Sequence, residues 1–250
     1  MSKLLINKTI LEDVDIVIFD KDGTLIDVHH YWSSMIKLRS EFLVKKYCLH
    51  NEVYSRLIDS MGIDIRSGRM KPEGPVGIKP RSFIINTAYK ILLNYCDNVK
   101  EEDVSSVFLE VDNFSKKKLN ELVNPLPGIP ELLFKLKKHN IKSTIATTDL
   151  TERAELAMAV IEIKDLFDDI AGADLVTNAK PAPDLVNYIL TRYKLDPKNA
   201  VVVGDSMADL LMARNSNCRF IGVETGLVNN EFVMNSEILI KDLNDIEVKK

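Results

Sequence analysis

Short Val- and Ile-rich runs, each stopped by a polar or glycine residue, recur along this chain. They are Ile16–Phe19 before Asp20, Ser143–Ala146 before Thr147, Ala200–Val203 before Gly204-Asp205, and Phe220–Val223 before Glu224-Thr225-Gly226. Short apolar runs bounded in this way predict buried strands. Between the later runs the apolar positions take helical spacing, as Leu132, Leu133 and Leu136 do within Ile129–His139. Thr151–Ile161 and Pro183–Tyr193 predict amphipathic helices, and Ala208–Arg214 a shorter one. Alternating strands and helices predict a parallel sheet with helices on both faces. In such sheets ligands bind beyond the carboxyl ends of the strands, which is where Asp20, Thr147 and Asp205 fall.

Residues 28–122 are different: Tyr31–Tyr47, Asn51–Met61, Pro80–Tyr95 and Glu101–Leu122 predict four helices with no strong strand between them. Gly62–Lys79 is Gly/Pro-rich and basic and predicts a long loop. Pro125-Leu126-Pro127-Gly128 punctuates the return to alternation. The pattern therefore predicts an α/β, Rossmann-like, doubly wound parallel core from residues 1–27 and 123–250, and an all-helical cap inserted at 28–122. Ile238-Leu239-Ile240 predicts one more edge strand before a charged, frayed tail.

A chain of 250 residues is long enough for a sizeable core with such an insertion. Its hydrophobic fraction, 46%, is ordinary for a globular protein. A net charge of −4, from 33 basic and 37 acidic residues, gives no reason to expect nucleic acid or a membrane as partner. Cys48, Cys96 and Cys218 are far apart and form no Cys-x-x-Cys pair, which suits a reducing cytosol. The apolar run near the N-terminus is too short for a signal peptide, and no run approaches the length of a membrane helix. A cytoplasmic protein is expected, monomeric or homodimeric.

Candidate chemistry begins at Asp20-Lys21-Asp22-Gly23-Thr24-Leu25. Alternation puts Asp20 and Asp22 on one side of an extended segment and points Lys21 away from them. Two carboxylates so placed suit a hard cation such as Mg²⁺, or divide nucleophile and proton carrier between them. An Asp-x-Asp-Gly turn is the structural alternative. Thr147, with Thr148 and Asp149 after it, offers a hydroxyl and backbone N–H groups for a phosphate oxygen, or a helix cap. Lys180, with Pro181 fixing the backbone after it, offers a positive charge; a lone Lys-Pro reads more readily as a solvated surface lysine. In Gly204-Asp205-Ser206-Met207-Ala208-Asp209, Asp205 faces the same edge as Asp20, and Asp209 lies one helical turn on, where it could orient Lys180. A helix N-cap with a first-turn acid is the alternative there.

Taken together, FDKDGTL at 19–25, the Thr147 strand, KPAPD at 180–184 and GDSMAD at 204–209 resemble the haloacid dehalogenase-like hydrolase superfamily. The likeness is to its phosphatases with a helical cap of the C1 type, nearest to phosphoglycolate phosphatase and β-phosphoglucomutase relatives. PLPGIPELLFKLKKHNIK at 125–142, AGAD at 171–174 and FIGVETG at 220–226 extend it. The resemblance implies that Asp20 attacks phosphorus and that Asp22 protonates the leaving oxygen and then activates water. It implies Mg²⁺ on Asp20, the Asp22 backbone carbonyl and Asp205. Thr147, Thr148 and Lys180 would bind phosphoryl oxygens, with Asp209 behind them. An acid at Asp22 favours phosphate over carbon–halogen chemistry. Thr147-Thr148-Asp149 departs from the Thr-Asn or Ser-Asn of many relatives, which leaves Thr148 and Asp149 without settled roles.

The expected activity is hydrolysis of a small phosphorylated metabolite, a sugar or sugar acid. A phosphosugar mutase on the same scaffold and a non-catalytic binding or regulatory protein are the alternatives. In the inserted segment, Arg66, Arg69, Lys71, Lys79 and Arg81 are candidates to select an anionic leaving group, against the alternative of a solvated loop. Neither His29 nor His30 is expected to be a ligand, and Tyr31 and Trp32 are expected to pack the first inserted helix.

Overall fold

The computed structural model describes residues 2–250 and divides into two compact units, Met1–Asp27 with Asn124–Lys250, and Val28–Val123. The chain opens with an antiparallel hairpin of β1 (Lys3–Ile6) and β2 (Thr9–Leu11). Its turn is Asn7-Lys8, with Asn7 in the left-handed region at φ 54°. The sequence pattern assigns no element here. The available signal is Asn at a two-residue turn, a position that demands positive φ. β3 (Ile16–Phe19) follows, and every residue of it is buried.

The second unit holds α1 (Val28–Lys46), α2 (Asn51–Ser60), α3 (Arg81–Leu93), α4 (Glu101–Lys116) and α5 (Leu119–Leu122). The single helix expected over 101–122 is broken at Lys118, which has φ −122° and ψ 25°. The break falls in Lys116-Lys117-Lys118, cations at the negative end of α4 that favour a helix terminus there. Ile36, Leu43, Leu57, Phe108 and Val111 form the interior of this bundle. The long loop at 62–79 is anchored: Ile63 and Met70 make a bridge, and the Met70 N–H donates to His29 Nδ1 at 3.2 Å. His29 and the neighbouring Tyr31–Trp32 edge-to-face pair are thus tied up inside this unit, and the Arg39 guanidinium lies over the Trp32 ring.

The chain then returns through α6 (Ile129–Lys138), β4 (Lys142–Ala146), α7 (Thr151–Val160), β5 (Asp169–Ala171), α8 (Asp184–Tyr193), β6 (Ala200–Gly204), α9 (Met207–Asn215), β7 (Arg219–Val223), α10 (Asn230–Asn235), β8 (Leu239–Ile240) and β9 (Ile246–Lys249). Six strands form one sheet in the order β5-β4-β3-β6-β7-β8, every pair parallel. β8 is the expected edge strand. β5 is too short to announce itself in the apolar pattern. Ile16, Ile18 and Val202 pack one face of the sheet against Leu185, Val186 and Ile189 of α8 and Met212 of α9. β9 instead pairs antiparallel with β1, and β2-β1-β9 make a separate small sheet. Both chain ends are thereby tied down, where a frayed C-terminal tail was expected.

Candidate functional site

β3 is central in the parallel sheet, flanked by β4 and β6, with Phe19 opposite both Ile145 and Val203. The residues that follow the three strands, one past Phe19 and two past Ile145 and Val203, therefore emerge at one edge. Asp20 follows β3, and its N–H still donates to the Val203 carbonyl at 2.8 Å. Thr147 follows β4, with its N–H donating to Ala171 at 3.0 Å, and Asp205 follows β6. A parallel ladder keeps strand ends in step, so residues far apart in sequence meet here.

Lys180 Nζ lies 2.5 Å from Asp20 Oδ1 and 2.6 Å from Asp209 Oδ1, with its side chain 2% exposed. Asp209 is held in turn by a capping box with Ser206, the N-cap of α9: the Ser206 N–H donates to Asp209 Oδ2 at 3.2 Å and the Asp209 N–H donates to Ser206 Oγ at 3.4 Å, while Ser206 Oγ also donates to Oδ2 at 2.5 Å. Both oxygens of Asp209 are thus engaged, one by lysine and one by the cap. Ser-x-x-Asp before an apolar helix is a readable capping signal.

Asp20, Asp205 and Asp209 each place a carboxylate oxygen within 4.8 Å of the others. Burial raises the Asp20 carboxyl to about 7; Lys180 opposes the rise, while Asp209 and Asp22 add to it. Asp205 is likewise pushed up, first by burial and then by Asp20 and Asp209. Lys180 loses by burial but is raised overall by Asp20 and Asp209. Three buried carboxylates facing one ammonium are short of positive charge, and their oxygen-only donor set suits a hard divalent cation such as Mg²⁺. Gly23, with φ 94°, and Gly226 leave the space that the Asp205 carboxylate fills; a Cβ at either would collide with it. Thr225 Oγ1 donates to the Gly23 carbonyl at 2.5 Å and fastens these two loops together. In sequence Thr225 and Gly226 stand only as the stop after Phe220–Val223 and within the FIGVETG likeness; their use at Asp205 depends on β7 lying next to β6.

One expectation needs correction. Lys21 does not point away from the carboxylates: its Nζ is 2.8 Å from Asp22 Oδ1 and Oδ2 and 3.3 Å from Asp149 Oδ2. Strand alternation fails because the chain leaves extended geometry after Phe19, and the Leu25 and Ile26 N–H groups both donate to the Lys21 carbonyl. Asp20 and Asp22, expected on one side of the segment, differ in burial although Asp22 still raises the Asp20 carboxyl. Asp20 is buried in the cluster, whereas the Asp22 side chain is 43% exposed and paired with Lys21. Thr148 is exposed beside buried Thr147. Of the basic residues in the helical unit, Lys71 is paired with Asp59 at 2.7 Å and Arg81 with Asp112, while Arg66, Arg69 and Lys79 are exposed.

A family model described as haloacid dehalogenase-like hydrolase matches residues 74–223, and the chain belongs to that family. Within it the chain is an enzyme, and it matches relatives named as phosphatases. It is 24% identical over 234 residues to the pyrophosphatase PpaX of Oceanobacillus iheyensis, covering 92% of this chain and 94% of that one. It is 26% identical over 211 residues to a phosphorylated carbohydrates phosphatase of Thermotoga maritima, covering 84% and 85%. A crystal structure of a predicted phosphoglycolate phosphatase from Haemophilus somnus superposes with a TM-score of 0.67 at 18% identity, covering 94% and 97%. That likeness is one of fold. Among the described residues no helix is long and apolar enough to cross a membrane.

Proposed function

We propose that this enzyme is a Mg²⁺-dependent phosphatase that hydrolyses a small phosphorylated metabolite, a sugar or sugar acid, through an aspartyl-phosphate on Asp20. The observation that carries the proposal is the buried cluster of Asp20, Asp205 and Asp209 around Lys180 at the ends of parallel strands. The sugar class is suggested by the Thermotoga relative, named for phosphorylated carbohydrates.

In the first step an Asp20 oxygen bonds to phosphorus as the ester P–O bond breaks, and Asp22 gives its proton to the leaving oxygen. In the second, water bonds to phosphorus, its proton passes to Asp22, and the Asp20–phosphorus linkage breaks to free inorganic phosphate. Lys180 carries the positive charge at the nucleophile, and Asp209 keeps its ammonium in place. Thr147 and Thr148 offer donors for the transferring oxygens. The Asp20 and Asp205 carboxylates and the Asp22 backbone carbonyl would hold Mg²⁺, which would supply charge neutralisation between nucleophile and phosphate. Arg66, Arg69 and Lys79, exposed in the helical unit, are the proposed contacts for an anionic leaving group.

A panel of phosphorylated metabolites assayed with Mg²⁺ tests this. Inorganic phosphate must appear, chelation must abolish its release, and Asp20→Asn must lower it by on the order of 10⁴-fold or more with an unchanged circular dichroism spectrum. An isomeric phosphosugar as product, or full activity in Asp20→Asn, would overturn the proposal.

A further inference from the structure

The mechanism above leaves one buried charge at this edge without a task. Lys21 is 5% exposed, and an ammonium withdrawn from water is tolerated only when carboxylates surround it. Its Nζ contacts both oxygens of Asp22 at 2.8 Å and then Asp149 Oδ2 at 3.3 Å. Both ends of this chain of contacts are anchored. On one side the Lys21 carbonyl accepts from the N–H groups of Leu25 and Ile26, at 2.9 and 3.0 Å. On the other, Asp149 Oδ1 accepts from the Leu150 N–H at 2.9 Å, and the Asp149 carbonyl accepts from the Ala173 N–H at 2.9 Å. The Asp149 N–H also donates to Thr147 Oγ1 at 3.1 Å, which ties Asp149 to the proposed phosphate-binding hydroxyl.

The Asp22 side chain, by contrast, is 43% exposed, and Lys21 holds both of its oxygens. An acid that must reach one oxygen of a bound ester works only when it is held near the productive geometry. We propose that Lys21 and Asp149 form a brace that fixes the Asp22 carboxylate for proton transfer to the leaving oxygen and couples its position to the Thr147 loop. Lys21 is in this scheme a positioning residue. The brace rests on the reading of Asp22 as the proton carrier. It also gives a task to Asp149, which the sequence leaves without a settled role: its carboxylate is the second partner of the buried Lys21 ammonium.

The test compares a glycerol phosphate, whose alkoxide needs a proton to leave, with p-nitrophenyl phosphate, whose phenolate does not. The quantity read is kcat/KM with Mg²⁺, which reports only as far as formation of the aspartyl-phosphate. Lys21→Met is expected to lower kcat/KM for glycerol phosphate by about 10- to 100-fold, with the loss in kcat rather than KM, and by at least about ten-fold less for p-nitrophenyl phosphate. Asp22→Asn should show the same contrast more strongly, and Lys21→Met should add little in the Asp22→Asn background. Asp149→Asn, on a less buried partner, should repeat the Lys21→Met pattern in weaker form and serves if Lys21→Met does not fold. Equal losses on both substrates in Lys21→Met and Asp149→Asn, or losses that add to that of Asp22→Asn, would overturn the brace alone. If Asp22→Asn itself shows no leaving-group contrast, the acid/base reading falls and the brace with it.

Discussion

In the α/β unit Asp20, Lys21, Lys180, Asp205 and Asp209 are withdrawn from solvent together at one sheet edge. In the helical unit most ion pairs, Lys71–Asp59 and Lys46–Asp103 among them, keep both partners within reach of water. The exception is Arg39, buried over the Phe108 ring at 4.5 Å and paired with Asp112, where its planar cation doubles as packing. The contrast has an energetic meaning. Exposed pairs contribute little, and their loss is tolerated. Buried ones cost desolvation that mutual attraction rarely exceeds, so a fold keeps a cluster of them where chemistry requires it. The α/β unit concentrates that cost at strand ends, where the ladder holds the groups rigidly; the helical unit has its charge spread over flexible side chains.

The largest test of this contrast is Lys180→Ala. Removing the one ammonium between Asp20 and Asp209 should cost about 3 kcal/mol in urea unfolding of the metal-free protein near neutral pH. A loss below about 1 kcal/mol would show that the acids do not depend on it. Next comes Gly226→Ala, whose methyl group would displace the Asp205 carboxylate. Calorimetric Mg²⁺ affinity should fall by about 10- to 100-fold while the rest of the fold persists; unchanged affinity would remove Asp205 from the metal site.

Proton linkage separates the units further. The Asp20 carboxyl, at about 7 in the folded chain against an ordinary 3.8, holds a proton that the unfolded chain has released. Its stabilising contribution is therefore complete below about pH 4 and is lost as pH rises through about 7, and Asp205 shifts in the same direction. A divalent cation held by these carboxylates, as proposed, would replace the lost positive charge. Melting curves of the protein should show a larger rise in Tm on adding Mg²⁺ at about pH 8 than at about pH 5. Equal rises at both would argue against these acids as its ligands. The smallest effect belongs to the helical unit: Lys71→Ala should change stability by no more than about 0.5 kcal/mol by denaturant titration. A cost several times larger would mean that its exposed pairs are as structural as the buried cluster.

Asp20, Thr147 and Asp205 are legible because each stands at the end of an apolar run, Lys180 because Pro181 fixes the backbone after it, and Asp209 because it lies in the first turn of a helix begun by Ser206; such punctuation marks strand ends and helix starts without any knowledge of neighbours. Lys21 was misassigned by the same reasoning. Period-two alternation holds only while the chain stays extended, and the turn stabilised by the Lys21 carbonyl begins one residue after Asp20. The short β5 and the hairpin of β1 and β2 escaped because three or four residues show too little periodicity, and the β1–β9 pairing joins the two ends of the chain.

By itself the sequence determined the parallel α/β core, the helical insertion and which side chains could carry phosphate chemistry, because these depend on local periodicity and on residue type. Tertiary structure decided which of those groups meet. It placed Lys180 between Asp20 and Asp209, gave Asp22 to Lys21 and Asp149, and cleared the space around Asp205 with two glycines from different loops. Such choices depend on distances between segments up to 202 residues apart, as between Thr225 and Gly23, and contacts of that kind are set by strand order and register rather than by any local run of residues.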